Sequence, residues 1–344
     1  MSGTSQKAHC SSRITHHLGV GLLLKIHIIH LSQLETMRRQ TTRHILMVRP
    51  ANFGFNEETA ANNAFQSRDG RLSPDTIRQK AVEEFDAFVQ RLRDAGVDVL
   101  VAQDSDSPVK PDAIFPNNWA TFHQEGLLVT YPMFAPTRRR ERSDDVLQVA
   151  LDAGFRAEQR VHLESSEDAG RFLEGTGSII FDHQNKLAYA CLSPRTDAGL
   201  LDELCKILGY NKVVFQAVDA NGQDIYHTNV MMAMGETFVV VCLDTVRNAQ
   251  ERQILEQKFR ETSKEIVDIT LDQMNAFAGN MLQVQNDREA TLLVMSEQAF
   301  RSLTSAQVNA LERHTRLLHS PIDTIETYGG GSARCMMAEV FVAS

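Results

Sequence analysis

SPDTIRQKAVEEFDAFVQRLRDAGVDVLVA, residues 73–102, is the stretch from which the fold class is read. Ala81, Phe85, Phe88 and Leu92 recur at the spacing of one helix face. Ser73 is a good N-cap, Pro74 takes the first helical position, and Gly96 follows the last turn, so a helix is expected over about residues 74–95. VDVLVA then reads as a strand, as does HILMVRP upstream, which Pro50 stops. The unit is strand, helix, strand.

The same unit recurs. Helical patterns are expected after Ser143 up to Gly154, over about residues 196–208 before Gly209, over about 246–262 and over about 305–313. Strand-like runs flank them: GLLVTY, SIIFD, KLAYACL, NKVVFQAV, TFVVVCL, ATLLVM and AEVFVA. Five helices at intervals of roughly 50–70 residues suggest an α/β repeat array or a closed, propeller-like arrangement. A doubly wound sheet also alternates strand and helix. It would want a glycine-rich turn after the first strand, and MVRPANFGFN holds only Gly54. No Pro-, Gly- or Ser-rich linker divides the body, so one domain is expected over residues 37–344.

Composition narrows the function classes. The chain has 344 residues, with 35 Lys and Arg against 44 Asp and Glu, a net charge of −9. That balance argues against nucleic-acid binding by phosphate neutralisation and against a polybasic membrane anchor. No apolar run reaches the length of a spanning helix. The five cysteines, Cys10, Cys191, Cys205, Cys242 and Cys335, are odd in number and lack C-x-x-C spacing. A reducing, cytoplasmic setting is therefore expected rather than a disulfide framework or zinc ribbon.

Residues 1–36 stand apart. They carry His9, His16, His17, His27 and His30, and Glu35 is the only acid before residue 57. A basic targeting peptide and a histidine metal site are two readings. The preferred one is an extension that is disordered or foreign to the native protein, ending near Met37, because no small-residue cleavage site follows the apolar run and the histidines lack acidic or cysteine partners.

Four segments interrupt apolar runs with polar residues: PDAIFPNNWATFH, with Asp112, Asn117 and Asn118; FLEGTGSIIFD, with Glu174; IYHTNVMMAMG, with His227 and Asn229; and YGGGSARCMMAEVF, with Cys335. Cys335 follows three glycines and adjoins Arg334, a setting that suits a thiolate nucleophile better than a buried filler. Cys191, Cys205 and Cys242 read as filler. His227 and Glu174 could complete a thiol, imidazole and carboxylate set, although spacing alone is a weak signal. Asp112 and the asparagine pair read equally well as turn residues.

In this order the four segments resemble the guanidino-group-modifying, or pentein, superfamily of arginine deiminases, dimethylarginine dimethylaminohydrolases and amidinotransferases. RPANFGFNEETAANNAFQ near the start and GGGSARCMMAE near the end are similar to the citrulline utilization hydrolase group, and the resemblance covers roughly residues 43–344. It implies a single-domain, five-bladed ββαβ propeller, with Cys335 as nucleophile, His227 as general acid and base, Glu174 as its acidic partner, and Asp112 binding substrate nitrogens with help from Asn118 and Asn229. It also implies arginines on the substrate carboxylate: Arg138 or Arg139 from APTRRRE, and Arg195 from LSPRTD. The run around Arg138 reads otherwise as a solvated charged turn.

Several carboxylates of the related enzymes are neutral here. Asn117 and Asn118 replace an acidic pair, Asn229 replaces an aspartate, and Gly175–Ser178 replaces Gly-Gly-Asp. A buried guanidinium needs paired acids, whereas an amide can serve a neutral ureido group. The expected reaction is hydrolysis of citrulline to ornithine, ammonia and carbon dioxide through an S-carbamoyl cysteine. Glu174 would favour cationic His227, and so the thiolate. Arginine deiminase, dimethylarginine hydrolase, amidinotransferase and a non-catalytic amino-acid-binding relative are the alternatives. A small amino-acid substrate is expected, with no metal or organic cofactor, no nucleic acid and no membrane; a homodimer is left open.

Overall fold

The computed structural model describes residues 38–60, 63–67 and 70–342. The N-terminal extension, its histidines and Cys10 lie outside the described residues. From Arg39 to Ser344 the chain clusters as one unit.

The helix read in residues 73–102 forms as α1, Pro74–Asp94. Ser73 accepts from the Thr76 N–H, and Ile77, Ala81, Phe85, Phe88, Val89 and Leu92 are buried. The further helices used below are α2, Asp144–Asp152; α3, Gly175–Ser178; α4, Ala198–Leu208; α5, Ala249–Glu261; α6, Ser305–Glu312; and α7, Asp323–Gly329. Two starts fall later than the periodicity alone suggests, and capping explains both. Asp197 accepts from the Leu200 N–H, and Asn248 from the N–H groups of Gln250 and Glu251.

The strands are β1, His44–Arg49; β2, Asp98–Gln103; β3, Ala120–Phe122; β4, Leu127–Thr130; β5, Gln159–His162; β6, Ile180–Asp182; β7, Leu187–Cys191; β8, Asn211–Phe215; β9, Met232–Met234; β10, Phe238–Val241; β11, Glu265–Asp268; β12, Leu282–Gln285; β13, Thr291–Ser296; β14, Arg316–Ser320; and β15, Ala338–Val340. One pairing scheme repeats: an antiparallel pair, then a parallel partner reached through a helix. It holds for β3–β4–β5 across α2, β6–β7–β8 across α4, β9–β10–β11 across α5, and β12–β13–β14 across α6. The parallel step demands such a crossover, which is why each long helix sits between the second and third strands.

The remaining triplet is β15–β1–β2 across α1, so it takes one strand from the C-terminal end and two from the N-terminal part. The strands make four sheets because β15 also meets β3 through the single pair Val340–Phe122, joining two triplets into one six-stranded sheet. The result is a mixed α/β fold. Beneath α1, Phe85, Phe88 and Leu92 join Ile45 and Val99 of their own triplet, Val284 and Val294 of another, and Cys335 and Met336.

Truncation of Phe85 or Phe88 to alanine is therefore expected to lower stability by about 3–5 kcal/mol in chemical denaturation. Gln90→Ala on the exposed face of α1 should stay within about 0.5 kcal/mol.

Candidate active site

The first strand of each triplet is entered through a tight turn, and these turns carry the polar segments. Residues 116–118 precede β3, α3 precedes β6, residues 228–230 precede β9, and residues 333–336 precede β15. Local sequence makes the turns compact. A Cβ on Gly175 (φ +45°) would lie 2.3 Å from the Asn117 carbonyl oxygen, and one on Gly177 would lie 2.2 Å from Asn118 Nδ2 and 2.7 Å from the His227 ring. Only glycine lets the LEGTG turn settle on its neighbours.

One cavity is lined by Asp112, Asn118, Arg138, Arg195, His227 and Cys335, together with Thr59, Asn63, Phe115, Tyr226 and Gly329 to Gly331. Its free space is about 20 Å³. That is room for a water.

Glu174 is fully buried, and its Oε2 lies 2.7 Å from His227 Nε2. Its Oε1 accepts from the Phe134 N–H, and Arg195 Nη1 stands 3.5 Å from Oε2. Burial works against the Glu174 carboxylate, but Arg195, the His227 hydrogen bond and Arg138 outweigh it and hold the group at about 2. For His227, burial dominates and Arg195 and Arg138 add to it, overcoming Glu174 and bringing the imidazole down to about 4. His227 is thus neutral at pH 7, with the proton on Nε2, because an ionised carboxylate can only accept. This corrects the expectation of a cationic histidine.

Arg138 is buried and forks onto Glu141, with Nε–Oε1 and Nη2–Oε2 both 2.9 Å. Burial nonetheless pushes Glu141 up to about 7. Arg138 also lies 3.8 Å from Asp112 Oδ2 and donates to Asn118 Oδ1 from both terminal nitrogens at 3.4 Å. Asp112 Oδ2 accepts from Asn56 Nδ2 at 2.8 Å, and burial raises the Asp112 carboxyl against these favourable partners. Arg195 Nη2 donates to the Thr59 carbonyl, and its guanidinium carbon sits 4.9 Å from the Tyr226 ring centre.

The fold thus brings Cys335, His227, Glu174, Asp112, Asn118, Asn229, Arg138 and Arg195 together. Asn229 reaches Cys335 Sγ with Nδ2 at 3.4 Å. Arg139 is not brought to the cavity. It donates to the Met133 carbonyl, pairs with Glu167 and lies over Phe172, which corrects its expected place on the substrate carboxylate. Arg138 does line the cavity, but its fork is committed to Glu141. Arg334 also turns elsewhere, onto the Met337 carbonyl and Glu339, so its charge is spent away from the sulfur. The glycines before Cys335 make room for Phe115: a Cβ on Gly329 or Gly331 would meet that ring at 3.0 or 2.8 Å. Burial pushes the thiols of Cys191, Cys205 and Cys242 up to about 12, 11 and 11, which suits filler.

Asn280 was missed in the sequence. It is buried, donates from Nδ2 to Cys335 Sγ at 3.3 Å and accepts on Oδ1 from the Arg334 N–H at 3.0 Å. The one signal that could have found it is position, since it stands two residues before β12, as Asn118 stands two before β3. Among the described residues no group of three or more His, Cys, Asp or Glu is arranged to hold a metal ion.

A family model described as N,N dimethylarginine dimethylhydrolase, eukaryotic, matches residues 49–342. Among solved structures, the chain resembles the apo form of ArgZ, an arginine dihydrolase from the ornithine–ammonia cycle in cyanobacteria, at 17% identity and a TM-score of 0.67, over 88% of this chain and 41% of that one. The chain thus spans about two fifths of that protein's length. It covers 97% of the N-terminal domain of ArgZ, in a structure covalently bonded to a reaction intermediate, at 17% identity and a TM-score of 0.67 over 86% of this chain. A dimethylarginine dimethylaminohydrolase adduct with S-methyl-L-thiocitrulline matches at 15% identity and a TM-score of 0.60, over 87% of this chain and 99% of that one. A search of curated protein sequences finds no match. The chain belongs to the N,N-dimethylarginine dimethylhydrolase family, within the pentein superfamily of guanidino-group-modifying enzymes.

Proposed function

We propose that the chain is a cofactor-independent cysteine hydrolase of a ureido amino acid, with citrulline as substrate and an S-carbamoyl Cys335 as intermediate. The five strand triplets are read as the blades of a closed propeller, with the cavity where their entry turns meet.

The orientation of Asn118 carries this reading. Arg138 has only donors to offer, so the Asn118 oxygen must face it and the amide NH₂ must face the other way. That Nδ2 has no partner among the described residues, and neither do Asp112 Oδ1 and Asn229 Oδ1, all of them buried. The Asn118 donor and the Asp112 acceptor, on residues that line the cavity, complement a ureido group, which offers a carbonyl oxygen and N–H bonds. A guanidinium offers no acceptor and would leave the Asn118 donor unmatched, a costly state in a buried site. Arg138 and Arg195 stand among three carboxyl groups, Asp112, Glu141 and Glu174, and burial raises two of these, Asp112 and Glu141, towards their neutral forms, which limits the negative charge left to draw a cation.

In the proposed cycle the Cys335 thiol gives its proton to neutral His227, and the sulfur attacks the ureido carbon. The bond from that carbon to the ornithine nitrogen breaks as His227 returns the proton to the departing amine. Water then attacks the S-carbamoyl carbon, His227 takes its proton, and the thiol is re-formed as carbamate leaves to give carbon dioxide and ammonia. Glu174 holds the imidazole by Nε2 throughout.

The family match over residues 49–342 favours a second reading, in which a methylated arginine is attacked by the same sulfur and citrulline is the product. Incubation with citrulline, arginine and N,N-dimethylarginine separates the two. Ornithine and ammonia from citrulline, at a kcat/KM above the other two, is the expected result; faster release of citrulline from a guanidino substrate would overturn the assignment. Asn118→Asp removes the donor and adds a charge, and should shift the arginine-to-citrulline preference by roughly ten-fold or more towards arginine.

The pH profile follows from His227. A histidine held at about 4 keeps its base form at all higher pH, so kcat/KM should fall on the acid side as pH drops through about 4, rather than near the ordinary 6.5. An acid limb near 6.5 would contradict the burial of that imidazole.

A further inference from the structure

The geometry points to Asn280 as a further catalytic residue, an amide donor that together with Asn229 holds the Cys335 sulfur while it carries negative charge. The inference rests on the reading above only in taking Cys335 as the nucleophile.

Position singles Asn280 out first. Four of the five triplets deliver a side chain from the turn entering their first strand to the cavity, the sulfur or the His227 imidazole: Asn118, Glu174, His227 with Asn229, and Cys335. The fourth triplet supplies Asn280 at the matching place before β12. The residue ahead of it has no latitude, because a Cβ on Gly279 would lie 2.2 Å from the Val230 carbonyl oxygen and 2.9 Å from Met231 Cα. Gly175 meets the preceding turn in the same way, at the Asn117 and Asn118 backbone. Glycine at 279 thus seats this turn directly on the one that carries His227 and Asn229.

The hydrogen-bond chemistry then fixes the amide. Asn280 Oδ1 accepts from the Arg334 backbone N–H at 3.0 Å, so the other end of the amide must be the NH₂. Nδ2 donates to the Asn229 carbonyl at 3.0 Å and approaches Cys335 Sγ at 3.3 Å. Asn229 Nδ2 meets the same sulfur at 3.4 Å. A donor gains little from a neutral thiol and much more from a sulfur anion, because the bond is then charge-assisted and shielded from water.

Among the described residues the cations of the site are held by carboxylates: Arg334 pairs with Glu339, Arg138 with Glu141 and Arg195 with Glu174, which also takes the only proton of His227. The sulfur is negatively charged twice in the cycle, after its proton passes to His227 and again when it leaves the carbamoyl carbon. The two amides serve both moments, so Asn280 acts on the rate of bond making and breaking more than on substrate binding.

Asn280→Asp tests this with the shape retained. It keeps the acceptor for the Arg334 N–H, gives up the donation to the Asn229 carbonyl and puts a carboxylate oxygen against the sulfur. Cys335 alkylation by iodoacetamide at fixed pH, read by mass spectrometry, is expected to slow by roughly ten-fold or more, with kcat falling at least as far, KM little changed and the thermal midpoint within a few degrees of wild type. Wild-type alkylation and kcat in the folded variant would overturn the proposal and leave Asn280 a structural clip. If the variant fails to fold, isotope-labelled asparagine amides in the wild type give the readout: two buried side-chain amide signals should move when Cys335 is alkylated, and static signals would overturn the inference. Alkylation needs no substrate, so slow alkylation with no citrulline turnover would retain Asn280 and remove the citrulline assignment. Normal citrulline turnover by Asn280→Asp would do the reverse.

Discussion

Arg138 and Arg195 are buried among Asp112, Glu141 and Glu174, which are themselves buried. Each guanidinium must therefore be matched by a carboxylate and each leftover polar atom by a neighbour, because a buried charge left alone costs several kcal/mol. That requirement orders the site. Arg195 keeps Glu174 ionised, and Glu174 fixes which imidazole nitrogen of His227 carries the proton. Arg138 turns the Asn118 oxygen toward itself and so turns the amide NH₂ away, where it lies against Gly177. The chemical character of the cavity, an amide and a carboxyl group beside two guanidiniums, descends from where two arginines are buried.

The repeat supplies the geometry that this pairing needs. Five strand triplets each start from a turn, and glycines at 175, 177 and 279 let successive turns touch backbone to side chain without a Cβ between them. The triplet that carries Cys335 is assembled from both ends of the described chain, since β15 pairs with β1. The nucleophile is therefore in place only when the C-terminal strand has docked. The core beneath α1 includes Cys335 and Met336, which ties placement of the sulfur to the packing of Phe85 and Phe88.

The long helices were legible because they announce themselves locally. Ser73 with Pro74 and the glycine at 209 are capping signals written in adjacent residues. The β15–β1 pairing was not legible, since nothing near residue 338 points to residue 44. Short helices such as α3 and α7 fell below any periodic signal. The turn segments bearing Asp112, Glu174, His227 and Cys335 stood out as polar breaks in apolar runs, and the fold brings them to one place. The run from Arg138 to Arg142 could not be sorted from sequence: Arg138 finds its fork in Glu141 three residues on, while Arg139 swings to Glu167. Asn280 was hidden because AGNM within an apolar stretch reads as an ordinary turn, and only alignment of the triplets by their first strands gives it weight.

Rapid quenching of the protein with citrulline, followed by peptide mass mapping, tests the covalent chemistry at Cys335 most directly. A carbamoyl group on Cys335, appearing and decaying at the rate of ornithine release, is the expected result. Turnover of citrulline with Cys335 unmodified, or with full activity after Cys335→Ala, would contradict it.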